Sequence, residues 1–179
     1  MAKEFTIRNE FFCDEDTFWE GTFLTEDFNR RLFLDVLKFP AWNVSSLKEN
    51  GAGASKKIDR VMHVVPRVAE LPAAIKKVMG DKFAYDETGT YDAATHKYSF
   101  TIKTSTMADK IRCSGSLHTE KLGDKHIVRI ARVQVEVKIF VVGSLAEERF
   151  LSDMKASYET AADFTETYLK EKNLWTPPA

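Results

Sequence analysis

The spacing of apolar residues along the first forty positions predicts one strand followed by two helices. Residues 5–11 alternate apolar and polar side chains, which is the period of a half-buried strand. Acidic and hydroxyl residues at 13–17 and again at 25–27 are typical of helix starts. Apolar residues then recur with the helical period over 28–37, and Pro40 ends the second helix.

The middle of the chain consists of short alternating segments that are separated by turns. We expect strands at residues 42–47, 58–65, 97–103, 111–118 and 127–137, and a further strand that begins at residue 83, between the second and third of these ranges. A turn at Thr88-Gly89 would end this further strand, and a short helix opened by Leu71-Pro72 and stopped by Gly80 precedes it. Consecutive strands with short connections predict an antiparallel meander.

The last part of the chain predicts one long amphipathic helix. Ser144 has Glu147 three residues later, the spacing of a capping box, and an apolar stripe continues from Leu151 to about Lys172. A helix of ~25 residues is ~37 Å long, which is enough to cross six or seven strands. The fold class is therefore α+β, with a curved antiparallel sheet wrapped around the C-terminal helix in one domain over residues 1–179. A frayed tail is expected from about residue 173.

A curved sheet and a straight helix leave a gap between them, which side chains fill or which remains as a cavity. The proposed inner positions mix large side chains with small ones, and this mixture is compatible with a cavity. We expect a ligand there to contact Met62, Val64, Tyr98, Phe100, Ile102, Cys113, Leu117, Arg129, Val133, Val135, Met154 and Tyr158.

Arg129 is the one charged residue in this set, because it shares the parity of Ala131 and Val133 on its strand. A buried guanidinium requires a partner. The partner could be a carboxylate or phosphate of the ligand or an internal acid. A position at the sheet rim, or a bulge that turns the side chain outward, is the alternative.

Composition excludes several classes of function. The 179 residues carry 26 Lys+Arg against 27 Asp+Glu, a balance that argues against nucleic-acid binding. No apolar segment follows the N-terminal Met1, and the apolar run at 139–142 is far shorter than the ~20 residues of a membrane helix. We therefore expect a cytoplasmic protein in which Cys13 and Cys113 are buried free thiols.

Neither a metal site nor a cofactor site is predicted. The four histidines, His63, His96, His118 and His126, do not have the spacing of metal ligands. No nucleophile-elbow pattern occurs. We therefore expect no catalytic residue, no metal and no cofactor.

Two segments resemble the START-like superfamily, the helix-grip fold of lipid-transfer domains, plant pathogenesis-related class-10 proteins and polyketide cyclases. Residues 133–148 are similar to the junction of last strand and C-terminal helix in an uncharacterised bacterial branch of that superfamily. Residues 64–80 are similar to its inserted short helix. A fainter similarity is to the sterol-binding domains of eukaryotic membrane-contact proteins. The resemblance implies the fold over nearly the whole chain, and it does not specify a function.

Three hypotheses about function follow. The first is non-catalytic binding or transport of a hydrophobic small molecule or lipid, such as a fatty acid, a sterol-like lipid or an isoprenoid. The second is a cyclase or dehydratase acting on a polyketide-like chain, with Arg129 and Tyr158 as candidate polar groups. The third is a protein-interaction module with a filled cavity, suggested by Trp19, Trp42 and Trp175 if these are exposed. The oligomeric state stays open.

Overall fold

Seven antiparallel strands form one curved sheet in the order β1-β7-β6-β5-β4-β3-β2. The computed structural model describes residues 2–67, 71–80, 82–140 and 142–177. The strands are β1 Lys3–Phe11, β2 Ala41–Asn50, β3 Lys57–Val65, β4 Tyr85–Asp92, β5 Lys97–Thr104, β6 Ile111–Gly123 and β7 His126–Val137. The meander from β2 to β7 is thus confirmed, and β1 pairs with the last strand.

The helices also follow the predicted order. They are α1 Glu15–Phe18, which continues into a π-helical turn Trp19–Phe23; α2 Glu26–Arg30, with a π-helical turn Arg31–Val36; a 3-10 turn Gly53–Ser55; α3 Ala73–Met79; and α4 Gly143–Glu171. The carboxylate of Asp14 caps α1 by accepting the N–H of Thr17 at 2.7 Å. Gly80 ends α3 with a φ of 78°, a left-handed conformation that glycine adopts without strain. None of the helices in the described ranges is both long enough and apolar enough to cross a membrane.

The predicted turn at Thr88-Gly89 is wrong, because both residues lie inside β4. Gly89 stands opposite Phe100 on β5, and the phenol of Tyr98 fills the place of its missing side chain. A Cβ at position 89 would lie 2.0 Å from the Tyr98 hydroxyl oxygen. This glycine therefore provides space for a neighbouring ring.

The predicted capping box at Ser144 and Glu147 is also wrong. Within the described part of the chain, no side chain caps the start of α4. The buried carboxylate of Glu147 instead accepts the backbone N–H of Val137 at 2.8 Å, and the Ser144 hydroxyl accepts the ammonium of Lys3. A buried strand N–H without an acceptor costs more free energy than an uncapped, exposed helix end. A carboxylate therefore stabilises the protein more when it accepts the buried N–H.

The C-terminal half of α4 packs against α2. Phe164 and Tyr168 form a cluster with Phe28 and Leu32, and the Tyr168 hydroxyl donates to Asp27 at 3.0 Å. This contact holds the helix over the concave face of the sheet.

The chain after α4 makes backbone hydrogen bonds up to Thr176, and the expectation of a tail frayed from residue 173 stays a prediction. The N–H groups of Leu174 and Trp175 donate to the carbonyl of Leu169, and that of Thr176 donates to the carbonyl of Phe12 at 2.8 Å. Residues 178 and 179 of the expected tail lie outside the described residues, as does Val141 in the junction before α4.

Two of the three tryptophans are buried, contrary to the premise of the interaction-module hypothesis. Trp19 is fully buried and donates its ring N–H to Thr119 at 3.0 Å, and Trp42 stacks on Phe33. Trp175 is half-buried against Phe12. The prediction that both cysteines are buried free thiols is confirmed.

Candidate functional site

A cavity of about 240 Å³ lies between the inner face of the sheet and the helices α1, α2 and α4. Its wall is mainly aliphatic and aromatic. The sheet contributes residues from β3 to β7, and the first half of α4 contributes Phe150, Met154 and Tyr158. The volume is near the lower end of the ~300–1,000 Å³ of ligand pockets, and it suits a small or slender molecule.

Most residues that the sequence assigned to a ligand site line this cavity. They are Met62, Tyr98, Phe100, Ile102, Cys113, Leu117, Arg129, Val135, Met154 and Tyr158. Val64 and Val133 are absent from the wall. Val64 is fully buried in a cluster with Trp42 and Met62, and Val133 lies in the main core. Both are therefore shielded by neighbouring side chains, and contact of any of the twelve with a ligand stays a prediction.

Small residues on the inner face allow aromatic rings to lie flat against the sheet. A Cβ at Gly115 would approach Cζ of Phe100 to 2.6 Å, so the ring of Phe100 lies directly over this glycine. Gly89 accommodates Tyr98 in the same way. Because the rings lie against the backbone, they extend less far toward α4, and space remains beneath the helix.

The sequence reasoning missed two acids in the cavity wall, Asp153 of α4, which pairs with Arg149, and Glu87 of β4. The Glu87 carboxylate accepts the Tyr98 hydroxyl at 2.9 Å. Burial raises the pKa of Glu87, while the nearby charge of Arg60 and the hydrogen bond from Tyr98 oppose this increase. The parity of Tyr85, Glu87 and Tyr91 would have placed Glu87 inward, but the supposed turn at Thr88-Gly89 concealed this alternation.

The thiols and phenols in and near the cavity stay protonated near neutral pH. Burial raises the pKa of the Cys113 thiol to about 12, and it also raises the pKa of Cys13 to about 12. Burial likewise raises the pKa of the Tyr85 and Tyr158 hydroxyls. These groups can serve a ligand as neutral donors and acceptors, and neither thiol has the lowered pKa of a catalytic nucleophile.

Arg129 points inward, as its parity predicted, and is only 3% exposed. Its guanidinium lies over the rings of Phe11 and Tyr158, 5.5 Å from each centroid. Among the residues with described positions, no three His, Cys, Asp or Glu side chains converge as metal ligands would. The polar chemistry of this wall is therefore confined to a few side chains in a mainly apolar surface.

The curved sheet, the long helix and the cavity between them define a helix-grip fold of the START-like type. Similar solved structures include the Zhui aromatase/cyclase from Streptomyces sp. R1128, with a TM-score of 0.58 and 11% identity over 96% of each chain. A norcoclaurine synthase from Thalictrum flavum has a TM-score of 0.58 and 17% identity over 96% of this chain and 97% of that one. A START superfamily protein from Mycobacterium smegmatis has a TM-score of 0.55 and 12% identity over 93% and 98%. At these identities the similarity establishes the fold.

The chain belongs to the family described as "Protein of unknown function (DUF2505)", whose model matches residues 23–169. No curated protein matches the chain in sequence. The family and the fold are thus established, and the function has to be argued from the cavity itself.

Proposed function

We propose that the protein binds a hydrophobic small molecule or lipid, without chemical change, in the cavity between the sheet and α4. The observation that carries this proposal is an apolar cavity of about 240 Å³ beneath the helix. At ~24 cal/mol per Å³, a closed apolar cavity of this volume costs about 6 kcal/mol, which is an upper bound for this partly open one. An apolar ligand would recover much of this cost by restoring contacts along the wall.

The test compares two substitutions on the same helix. Met154 faces the cavity, with its sulfur 4.0 Å from the thiol of Cys113, whereas Leu145 is 46% exposed. Met154→Trp adds a bulky ring inside the cavity, and Leu145→Trp adds the same ring on the surface. We expect Met154→Trp to weaken binding of Nile red and of a panel of fatty acids, sterols and isoprenoids by about tenfold or more. Leu145→Trp should bind like the wild type.

Binding is measured by fluorescence titration and by native mass spectrometry of protein purified under mild conditions. Circular dichroism of both variants controls for folding. Failure of the wild type to bind any member of the panel, or equal binding by Met154→Trp and the wild type, would contradict the proposal.

A second candidate function is supported by Glu87, because a carboxyl with a raised pKa inside a mainly apolar cavity is a candidate proton donor or acceptor. Two of the similar folds, the aromatase/cyclase and norcoclaurine synthase, are named as enzymes. In a cyclase or dehydratase, Glu87 would act as the acid or base, and Tyr98, Tyr158 and Arg129 would orient oxygen atoms of a polyketide-like chain.

Glu87→Gln distinguishes the two functions. It keeps the shape of the side chain and removes its ionisable proton. If the protein is an enzyme that depends on Glu87, this variant should lose turnover of poly-β-keto thioester analogues and still bind Nile red. Chromatography and mass spectrometry of the products measure turnover. The absence of turnover by the wild type would leave binding as the function.

A further inference from the structure

Two arginines in the cavity wall are buried without an ion-pair partner. Arg60 is 2% exposed and Arg129 is 3% exposed. Neither forms a salt bridge with any carboxylate in the described parts of the chain, and the Nε atom of each makes no hydrogen bond. Burial of a charge is costly unless an opposite charge or several hydrogen bonds compensate for it.

The charge of Arg60 is partly compensated within the protein. Its guanidinium lies over the rings of Phe23 and Tyr98, at 5.3 and 5.1 Å from their centroids. Glu87 lies close enough for the charge of Arg60 to lower the carboxyl pKa. Arg60, Tyr98 and Glu87 therefore form one polar group with both signs of charge.

Arg129 also lies over two rings, but it has no carboxylate that corresponds to Glu87. Its Nη2 donates to Asn9 Oδ1 and, at 3.3 Å, to the backbone carbonyl of Tyr158. Burial lowers the pKa of Arg129 to about 10, and the phenol of Tyr158 opposes this decrease. At neutral pH the guanidinium is thus a cation, and Nε and Nη1 have donors left over.

We propose that the ligand is an amphipathic carboxylic acid whose carboxylate binds the Arg129 guanidinium, while its apolar chain lies against Ile102, Leu117 and Met154. This inference rests on the proposed binding function. The unused Nε–H and Nη1–H groups point in different directions, so each offers a carboxylate oxygen one hydrogen bond, and the single negative charge of a carboxylate balances the single positive charge of the guanidinium. A phosphate monoester carries up to two charges and calls for further donors.

Glu87 fixes the direction in which such a ligand binds. In the sheet order, β4 lies three strands from β7, so the backbones that carry Glu87 and Arg129 are separated by ~14 Å across the strands. An anionic head beside Glu87 would be repelled whenever that residue is ionised. The carboxylate therefore binds at the β7 end of the cavity, and the apolar tail extends toward β4.

The experiment compares decanoate with decanol, which have the same chain and differ in the head group. We expect the wild type at pH 7 to bind decanoate about tenfold or more tightly than decanol, because a hydrogen-bonded charge pair contributes more than a neutral hydrogen bond. Isothermal titration calorimetry or native mass spectrometry measures both affinities, and this comparison requires no variant. Decyl phosphate provides a third probe.

Arg129→Met should abolish the preference for decanoate over decanol. The matched control is Arg132→Met, because Arg132 lies on the same strand but is exposed on the outer face. This control should retain the preference. Circular dichroism confirms that both variants are folded.

Equal affinity of the wild type for decanoate and decanol would overturn the inference while leaving hydrophobic binding intact. A preference for decanoate that survives Arg129→Met would overturn the role of Arg129. Tighter binding of decyl phosphate than of decanoate would replace the carboxylate with a phosphate head and so overturn the proposed ligand class. If neither decanoate nor decanol binds, this inference and the proposed binding of acyl chains fail together.

Discussion

Gly89 and Tyr98 lie on neighbouring strands, and the absence of a side chain at one allows the ring of the other to lie against the sheet. Tyr98 also holds Glu87 by a hydrogen bond, so the glycine contributes indirectly to the polar group in the cavity. Any Cβ at position 89 must move a buried ring.

We expect Gly89→Ala to lower the free energy of unfolding by about 1–3 kcal/mol, the usual cost of overpacking a core. Urea denaturation followed by circular dichroism measures it. Gly21→Ala is the control, because a Cβ there has its nearest neighbours at 3.9 Å and lies in a helical turn. This control should be neutral or slightly stabilising. Equal stability of the two variants would contradict the proposed close contact.

The raised pKa of Glu87 makes the stability of the fold depend on pH. Because the folded protein holds this proton more tightly than the unfolded chain, stability falls as pH rises from the ordinary value of 4.5 through the raised one. Glu87→Gln removes this loss. Its free energy of unfolding, relative to the wild type, should increase with pH above 4.5 and level off once Glu87 is ionised in both states.

Urea denaturation at a series of pH values from 4 to 8 measures this difference. The exposed Glu159, changed to Gln, controls for the loss of one negative charge from the surface. A relative stability of Glu87→Gln that stays flat or decreases with pH would show that the carboxyl of Glu87 is not held in its protonated form.

Alternation along a strand was sufficient to predict that Arg129 points inward, because β7 is regular and buried over most of its length. The same rule would have found Glu87. It failed there because Thr-Gly is a common turn signal, and only the position of the Tyr98 ring explains a glycine in mid-strand. The role of Gly89 depends on a side chain from another strand, so the residues next to it in the sequence do not indicate that role.

At the scale of elements, α4 consists of two halves with different surroundings. The second half contributes Ala162, Phe164, Tyr168 and Leu169 to the buried core, whereas Phe150, Leu151, Met154 and Tyr158 in the first half are only partly buried. The local stability of the helix should therefore differ along its length.

We expect amide hydrogen exchange to be slower over residues 162–171 than over residues 144–158, as measured by mass spectrometry of peptic fragments. A bound apolar ligand should slow exchange most in the first half and least over residues 166–171, which follow Thr165, the last helix residue in the cavity wall. Residues 166–171 serve as the internal control. Uniform protection along the helix would contradict a cavity beneath its first half.

The helical period predicted α4 to within a residue of its observed end, because a long amphipathic stripe is a strong signal. The π-helical turns after α1 and α2 were not predicted. The apolar spacing from Phe28 to Leu37 fits both an α-helical and a π-helical turn, and tertiary packing decides which of the two forms. The role of Glu147 was missed for a related reason, since its partner on β7 is brought near only by the fold.

At the scale of the whole molecule, the segment after α4 contacts the residue that follows β1. Trp175 packs edge-on against Phe12, and Thr176 donates to the carbonyl of Phe12. The segment after α4 thus fastens the end of the helix to the end of β1.

We expect Trp175→Ala to lower the free energy of unfolding by about 2 kcal/mol, less than the 3–5 kcal/mol of a fully buried tryptophan. The midpoint of urea denaturation measures this loss. Leu122→Ala, in the hairpin between β6 and β7, is the control because Leu122 is 51% exposed. A midpoint that is unchanged in Trp175→Ala would support the frayed tail that the sequence predicted.

The pairing of β1 with β7 has a consequence for the order in which the protein can fold. Residues 3–11 find their hydrogen-bonding partners only in residues 127–135, so the first strand to leave the ribosome must wait for nearly the whole chain. Long-range pairing of this kind slows folding and leaves an unpaired strand exposed in the meantime. The hairpins from β2 to β7 can assemble during synthesis. The pairing of β1 with β7 comes last, and it is the step before which a chaperone could bind the unpaired strand.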